Sequence, residues 1–295
     1  MNSVNDDMQA VLCVGRLYCD LIFTGIDRLP VLGREVFADD LTIAAGGGAF
    51  ISAAHLRDLG RDTAIVARLG NDTLSKAVEQ EIVVRDIETG FIERAFDAGP
   101  QITVASVIGS ERAFLTRRAG RAEPETLDAA LAWPRAGHLH IAEYATLVEI
   151  PDLVSRAKHA GLTVSLDPSW DDDLIRDPML IEKCKGVDIF LPNLEEAREI
   201  TGEAQAEAMR EHLARYFPVV ALKAGPSGAL VATDQARLAV PAEEVRVVDT
   251  TGAGDAFNAG FIDSWMRGEA IESCLVAAVR SGSRAVQVTG GAVPR

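Results

Sequence analysis

Short apolar runs alternate along this chain with longer stretches in which apolar residues recur at helical spacing, the pattern of a sheet covered by helices. Residues 11–14, 63–67, 138–141, 163–166, 188–191 and 219–222 read as core strands of an α/β fold. Helices are predicted over 49–59, 73–84, 124–131, 150–160, 193–201, 204–216, 253–266 and 270–288. Two segments break the alternation. Residues 21–45 and 91–118 carry β-type residues with turn signals at Leu29-Pro30, Leu32-Gly33, Gly99-Pro100 and Gly109-Ser110, and little helical periodicity. They are expected to pair into a small antiparallel sheet beside the main core, the alternative being ordinary surface hairpins. With no internal repeat, low-complexity tract or linker, residues 1–295 read as one domain.

Composition narrows the function classes. Hydrophobic residues at 48% and charged ones at 25% are those of a soluble globular protein. The net charge of −15 argues against a nucleic-acid partner, because phosphate-backbone binding needs basic patches. Cys13, Cys19, Cys184 and Cys274 form no Cys-x-x-Cys or Cys/His cluster and read as reduced core residues. Residues 1–7 are polar and acidic, and no apolar run approaches the length of a membrane span, so a cytoplasmic protein without a membrane partner is expected.

The densest chemistry lies in 249–257, Asp-Thr-Thr-Gly-Ala-Gly-Asp-Ala-Phe. Val245, Val247 and Val248 read as a strand entering this turn, and the stretch from Ala256 to Trp265 as a helix leaving it. Gly252 and Gly254 let successive amides point at one spot, where the helix dipole also favours negative charge. Such a spot suits a transferring phosphoryl group, with Asp255 beside it as a candidate base. An ordinary strand-to-helix turn would need only a glycine and an acid. Six fixed residues in register recur by chance at roughly one position in ten million.

This string resembles the second signature of the PfkB, or ribokinase-like, carbohydrate kinases. The resemblance implies a three-layer α/β/α core with a small β-sheet lid, ATP and Mg²⁺ as cofactors, and phosphorylation of a hydroxymethyl group on a small sugar. It makes Asp255 the catalytic base and Gly252, Ala253 and Gly254 the anion hole, with Thr250 beside the nucleotide. Gly46-Gly47-Gly48 falls where the family's first signature lies, in a match from Gly46 to Gly60, though three glycines before a helix also make a plain tight turn. One residue departs from the pattern: Ile51 stands where the family has a sugar-binding Asn.

Asp20, Gly46, Gly47 and Glu143 are the implied substrate contacts. Asp20 is otherwise a solvated strand-end residue, and Glu143 lies just past a core strand, at the edge where open α/β sheets bind ligands. His138 and His140 alternate with apolar residues and read as strand-packing or surface histidines. Arg118 matches an arginine that faces a keto or acid sugar in some members, or belongs with Arg117 and Arg121 to a solvated face. Asn193 and Glu196 match an Asn-x-x-Glu motif that positions Mg²⁺, and equally form a helix capping box. Lys223, Gly225 and Gly228 match a nucleotide-binding turn that is otherwise a hairpin. Residues 278–283 and 288–292 align with segments near the adenine and a monovalent cation (K⁺), the second being short against the pattern. The lid implies a homodimer. A nucleoside kinase, suggested by Phe50 and Ile51 in the pocket wall, and a non-catalytic sugar-sensing protein on the same scaffold are the rival readings.

Overall fold

The computed structural model describes residues 10–109, 111–288 and 290–292. Ser110 of one turn signal and Thr289 of the cation segment lie outside the described residues. The order of elements runs β1 (Ala10–Val14), β2 (Tyr18–Thr24), β3 (Asp40–Gly46), α1 (Gly48–Asp58), β4 (Thr63–Leu69), α2 (Thr73–Val84) and β5 (Ile92–Arg94). Then come β6 (Ile102–Ile108), β7 (Glu111–Arg117), α3 (Leu127–Leu131), β8 (Ala136–Ile141), α4 (Tyr144–Glu149), α5 (Leu153–His159) and β9 (Thr163–Leu166). The remainder is α6 (Leu180–Lys183), β10 (Ile189–Phe190), α7 (Leu194–Thr201), α8 (Ala206–Leu213), β11 (Val219–Lys223), β12 (Ala229–Ala232), β13 (Arg237–Val240), α9 (Ala253–Met266) and α10 (Ile271–Ala285).

Nine strands form one sheet in the order β13-β12-β11-β10-β9-β8-β1-β4-β5. It is parallel from β11 to β5, and β12 and β13 add an antiparallel edge. Strands buried on both faces need apolar residues at nearly every position, as in β1, Ala-Val-Leu-Cys-Val, whose five residues are all buried. Leu12, Val14, Leu139, Ile141, Val164 and Leu166 pack into the core on one face. Val11, Cys13, Ile65, Ala221 and Val231 pack on the other, with residues of α1, α9 and α10. The helix α9 lies deep in this second layer, with every side chain from Ala256 to Ser264 buried.

Four further strands form a separate sheet in the order β3-β2-β6-β7. Its make-up departs from the sequence expectation in two ways. The central pair β2–β6 runs parallel, so the sheet is mixed, because residues 25–101 return the chain to the same end before β6 begins. In addition, β5 pairs in parallel with β4 and extends the main sheet, so the segment 91–118 is divided between both sheets.

Two other expectations are corrected. Residues 245–248 form no strand: Val247 and Val248 are largely exposed, and the amides of Val248 and Asp249 donate to the Val286 carbonyl just past α10. β-branched residues here signal extended backbone without a sheet partner. The helix expected over 150–160 is α5, which begins only at Leu153 because Pro151 ends the preceding short helix α4, an element that the sequence reading did not include.

Candidate active site

The carboxyl ends of β8, β9 and β11 and the N-termini of α1, α7 and α9 come together beside the small sheet. Open parallel sheets place ligands at this edge. The turn before α9 is set by Asp249, whose Oδ1 accepts from the Thr251 amide and hydroxyl, both at 2.8 Å, and whose Oδ2 accepts from the Gly290 amide at 3.0 Å. Arg112 of β7 reaches across from the small sheet and pairs with Asp249 and Thr251. Burial raises the Asp249 carboxyl, but these donors outweigh it and hold the group down at about 2.

Gly252 caps α9 in the left-handed conformation, φ 72°, and a Cβ there would come within 2.2 Å of the Gly291 carbonyl oxygen. Any other residue would push the turn off its seat. The amides of Gly252, Gly254 and Asp255 have no hydrogen-bond partner among the described residues, whereas that of Ala253 donates to the Thr250 carbonyl at 3.3 Å. Of the Gly252–Ala253–Gly254 set read from the sequence, Gly252 and Gly254 keep a free amide, as does Asp255, while the amide of Ala253 is engaged. Thr250 is exposed on the outer side of this turn.

Asp255, in the first turn of α9, is partly exposed and accepts from the Ser52 hydroxyl of α1 at 3.1 Å. Its carboxyl is pushed up to about 7, by burial first and by the charge of Asp167 second, against the opposing pull of Lys223 and Ser52. Lys223, at the end of β11, pairs with Asp167 at 2.5 Å and lies 3.5 Å from Asn258 Oδ1, while Asn258 Nδ2 donates to Asp167 at 2.6 Å. Although burial lowers its proton affinity, Asp167, Glu196 and Asp255 raise it overall, so the ammonium is the fixed positive charge beneath the anion turn. A Cβ on Gly254 would lie 3.6 Å from its Nζ.

Asn193 and Glu196 form a complete capping box at the start of α7. Asn193 Oδ1 accepts from the Glu196 amide at 2.9 Å, and Glu196 Oε2 accepts from the Asn193 amide at 2.8 Å. Asn193 oxygen is thus committed to the helix, and Glu196 alone keeps a free carboxylate oxygen. Burial, then repulsion from Asp167, pushes the Glu196 carboxyl up to about 7. Surplus negative charge of this kind fits a divalent cation held mainly by phosphates and water, since no cluster of three or more His, Cys, Asp or Glu among the described residues makes a protein cage. Gly225 is open to its surroundings, whereas Gly228 is a packing residue, its absent Cβ leaving room for the Val240 carbonyl at 2.0 Å.

On the substrate side, Asp20 of β2 is pushed up to about 6 by burial and then by Glu81. Gly46 of β3 is its diagonal neighbour: a Cβ there would sit 2.1 Å from Asp20 Oδ2. The first glycine of the triplet is therefore a requirement of the carboxylate. Gly47, at φ 95°, turns the chain over the Arg16 carbonyl, which a Cβ would meet at 2.3 Å. Glu143 accepts from the Arg16 amide at 3.3 Å and from the Thr146 hydroxyl at 3.1 Å, and burial raises its carboxyl. Arg118 pairs with Asp171 at 2.9 Å and stands within the field of Tyr18 and Glu143. Its side chain is 42% exposed, so it lies at the rim of this cluster with one side in solvent. Arg16 fixes it there by donating to the carbonyls of Ala119 and Gly120, both at 2.9 Å, while pairing with Glu149.

Two sequence readings concern the surroundings of Gly291. Phe50 is wholly buried, with Arg85 over its ring, and Ile51 is buried against Gly291, so neither forms an open pocket wall. The Gly291 carbonyl, in the segment aligned with a cation loop, accepts from His55 Nε2 at 3.0 Å. Conversely, sequence reasoning missed Asp167, Asn258, Ser52, Arg16 and Arg112. Asp167 carried a usable signal, a carboxylate at the end of a core strand; the others meet only across 35 to 203 residues of chain. A hollow of about 680 Å³ lined by Asp128, Trp133 and His159 lies at the opposite edge of the sheet and gathers none of these groups.

The chain is similar over most of its length to known kinases. The 1-phosphofructokinase of Haloferax volcanii is 30% identical over 279 residues, spanning 87% of this chain and 84% of the relative. The 2-dehydro-3-deoxygluconokinase of Bacillus subtilis is 27% identical over 257 residues, spanning 81% and 79%. The ribokinase of Arabidopsis thaliana, solved with ribose and ATP, superposes with a TM-score of 0.85 at 24% identity, covering 96% of this chain and 94% of that one. The family model for pfkB carbohydrate kinases matches residues 8–295, and the chain belongs to that family.

Proposed function

We propose that the protein is an ATP-dependent kinase that phosphorylates a hydroxymethyl group of a small sugar or sugar-like polyol, with Asp255 as base. The observation that carries this reading is the juxtaposition of three free amides, a largely buried lysine and a part-buried carboxylate of raised proton affinity at one helix start. When bound, ATP with Mg²⁺ supplies the phosphoryl group and the charge that screens it.

Asp20 and Glu143 accept hydrogen bonds from substrate hydroxyls and orient the acceptor. Asp255 takes the hydroxyl proton as the oxygen attacks phosphorus, and its raised proton affinity suits it to hold that proton at neutral pH. The amides of Gly252, Gly254 and Asp255 receive the charge that develops on the transferring group, with the Lys223 ammonium behind them. Glu196 would hold Mg²⁺ through water, and Gly225 and Thr250 line the approach for the nucleotide. The small sheet excludes water and offers an apolar outer face to a second copy of the chain.

Arg118 beside Glu143 supports a keto- or carboxylate-bearing sugar, because a guanidinium in that position recognises such groups with directed hydrogen bonds. Thermal-shift screening against free sugars, sugar acids, sugar phosphates and nucleosides, followed by coupled ADP release on the hits, tests the reading. Turnover is expected with a keto or acid sugar. Turnover confined to nucleosides, or ligand binding without any ADP release, would overturn it.

A further inference from the structure

A line of buried polar side chains runs away from Asp255 beneath α9. The Ser52 hydroxyl lies 3.1 Å from Asp255 Oδ1 and 3.3 Å from His140 Nε2. His140 Nδ1 is 2.9 Å from Ser165 Oγ, which is 2.8 Å from His138 Nε2, and His138 Nδ1 is 2.8 Å from Thr163 Oγ1. The sheet builds this line by register: His138 stands opposite Thr163 and His140 opposite Ser165 in the parallel pair β8–β9. Period-two alternation puts all four on one face, and Ser52, Ser165 and both histidines are fully buried.

Each hydroxyl has one proton and each neutral imidazole one, so the line has a direction. Burial keeps both rings neutral, lowering His140 to about 4 and His138 well below its ordinary value. With Asp255 ionised, Ser52 must donate to it. His140 must then carry its proton on Nε2 and donate to Ser52, which obliges Ser165 to donate to His140 Nδ1. By the same logic His138 carries its proton on Nε2 and accepts from Thr163 at Nδ1. Every shared proton has one acceptor in this arrangement. The opposite tautomers would set a bare His140 Nε2 against a hydroxyl already turned away.

We propose that His140, with Ser165 and His138 behind it, is a positioning residue that locks the Ser52 hydroxyl onto the catalytic carboxylate. The proposal rests on the reading of Asp255 as the base. The relay touches neither substrate nor nucleotide; it fixes the side chain that fixes the base. It also explains why histidine and serine interrupt two strands whose alternate positions, Leu139, Ile141, Val164 and Leu166, are apolar core.

Histidine-selective ¹⁵N NMR reads the tautomers directly, since the chain has only five histidines. In the wild type at pH 8, His138 and His140 are expected as Nε2–H tautomers. Ser52→Ala removes the acceptor of the His140 proton. Both rings should then reverse to Nδ1–H, with Thr163 turning its hydroxyl to the Gly137 carbonyl 3.2 Å away. Unchanged tautomers in that variant would overturn the relay.

Kinetics with the best substrate of the panel supply the second arm. His140→Leu should lower kcat roughly 5- to 30-fold with KM unchanged. His140→Gln, whose amide can still donate to Ser52, should recover most of the loss, and Ser165→Ala should fall between. If Asp255→Asn is inactive while His140→Leu turns over like the wild type, the relay fails and the base stands. If Asp255→Asn remains active, the base reading fails.

Discussion

Asp255 gathers around it the charges that decide its protonation: Asp167 pushes its proton affinity up, Lys223 and the Ser52 hydroxyl pull it down, and burial leaves it near 7. A base must be ionised to work. The free-enzyme profile of kcat/KM should therefore rise with pH and reach half its plateau near pH 7 rather than near 4. A plateau extending unbroken to pH 5 would contradict the assignment. The same shift has a sign for stability. A carboxyl raised from 3.8 to about 7 in the folded state contributes stability that is present below 3.8 and lost as pH climbs through 7. Replacing it by Asn should thus raise Tm at pH 8, by roughly 2–5 °C after allowance for partial exposure. Scanning calorimetry at pH 4 and pH 8 checks this, the gain being much the larger at the higher pH.

The small sheet and the turn before α9 are separate elements that the Arg112 side chain joins. This contact ties the covering strand β7 to Asp249, the residue that shapes the anion turn. Arg112→Ala should loosen both. The amides of 111–117 are expected to exchange faster, and KM should rise roughly 2- to 10-fold, the scale of a part-exposed charge-assisted pair. Unaltered exchange and KM would mean that the contact is idle. The strands β1, β4, β8, β9 and β11 and the helix α9 were legible in the sequence because short, largely apolar runs and one dense motif leave few alternatives. The capping box of Asn193 and Glu196 was legible for the same reason, being local. Arg112, Arg16 and Ser52 were not, because an arginine or serine acquires meaning only from a partner that the fold delivers. Val247 and Val248 misled in the other direction: β-branched residues near the mouth of the site look like a strand yet stay exposed and join no sheet.

At the scale of the whole molecule, the register of the small sheet places Leu21, Phe23, Leu41, Ile43, Val104 and Leu115 on the face opposite Asp20. Leu21 packs on the core, but Leu41, Ile43 and Leu115 are 45%, 52% and 73% exposed. An apolar sheet face of this kind is stabilised by a partner. A homodimer is expected by light scattering, with Ile43→Lys plus Leu115→Lys yielding monomer; a wild-type monomer at tens of micromolar would exclude it. The site edge, the covering sheet and the apolar outer face belong to a family kinase, and the chemistry we propose for it rests on one carboxylate, Asp255. The most direct test is Asp255→Asn, assayed by coupled ADP release and by calorimetric binding of ATP and sugar. Turnover should fall roughly 10²- to 10⁴-fold with both ligands still bound; turnover near that of the wild type would contradict the account.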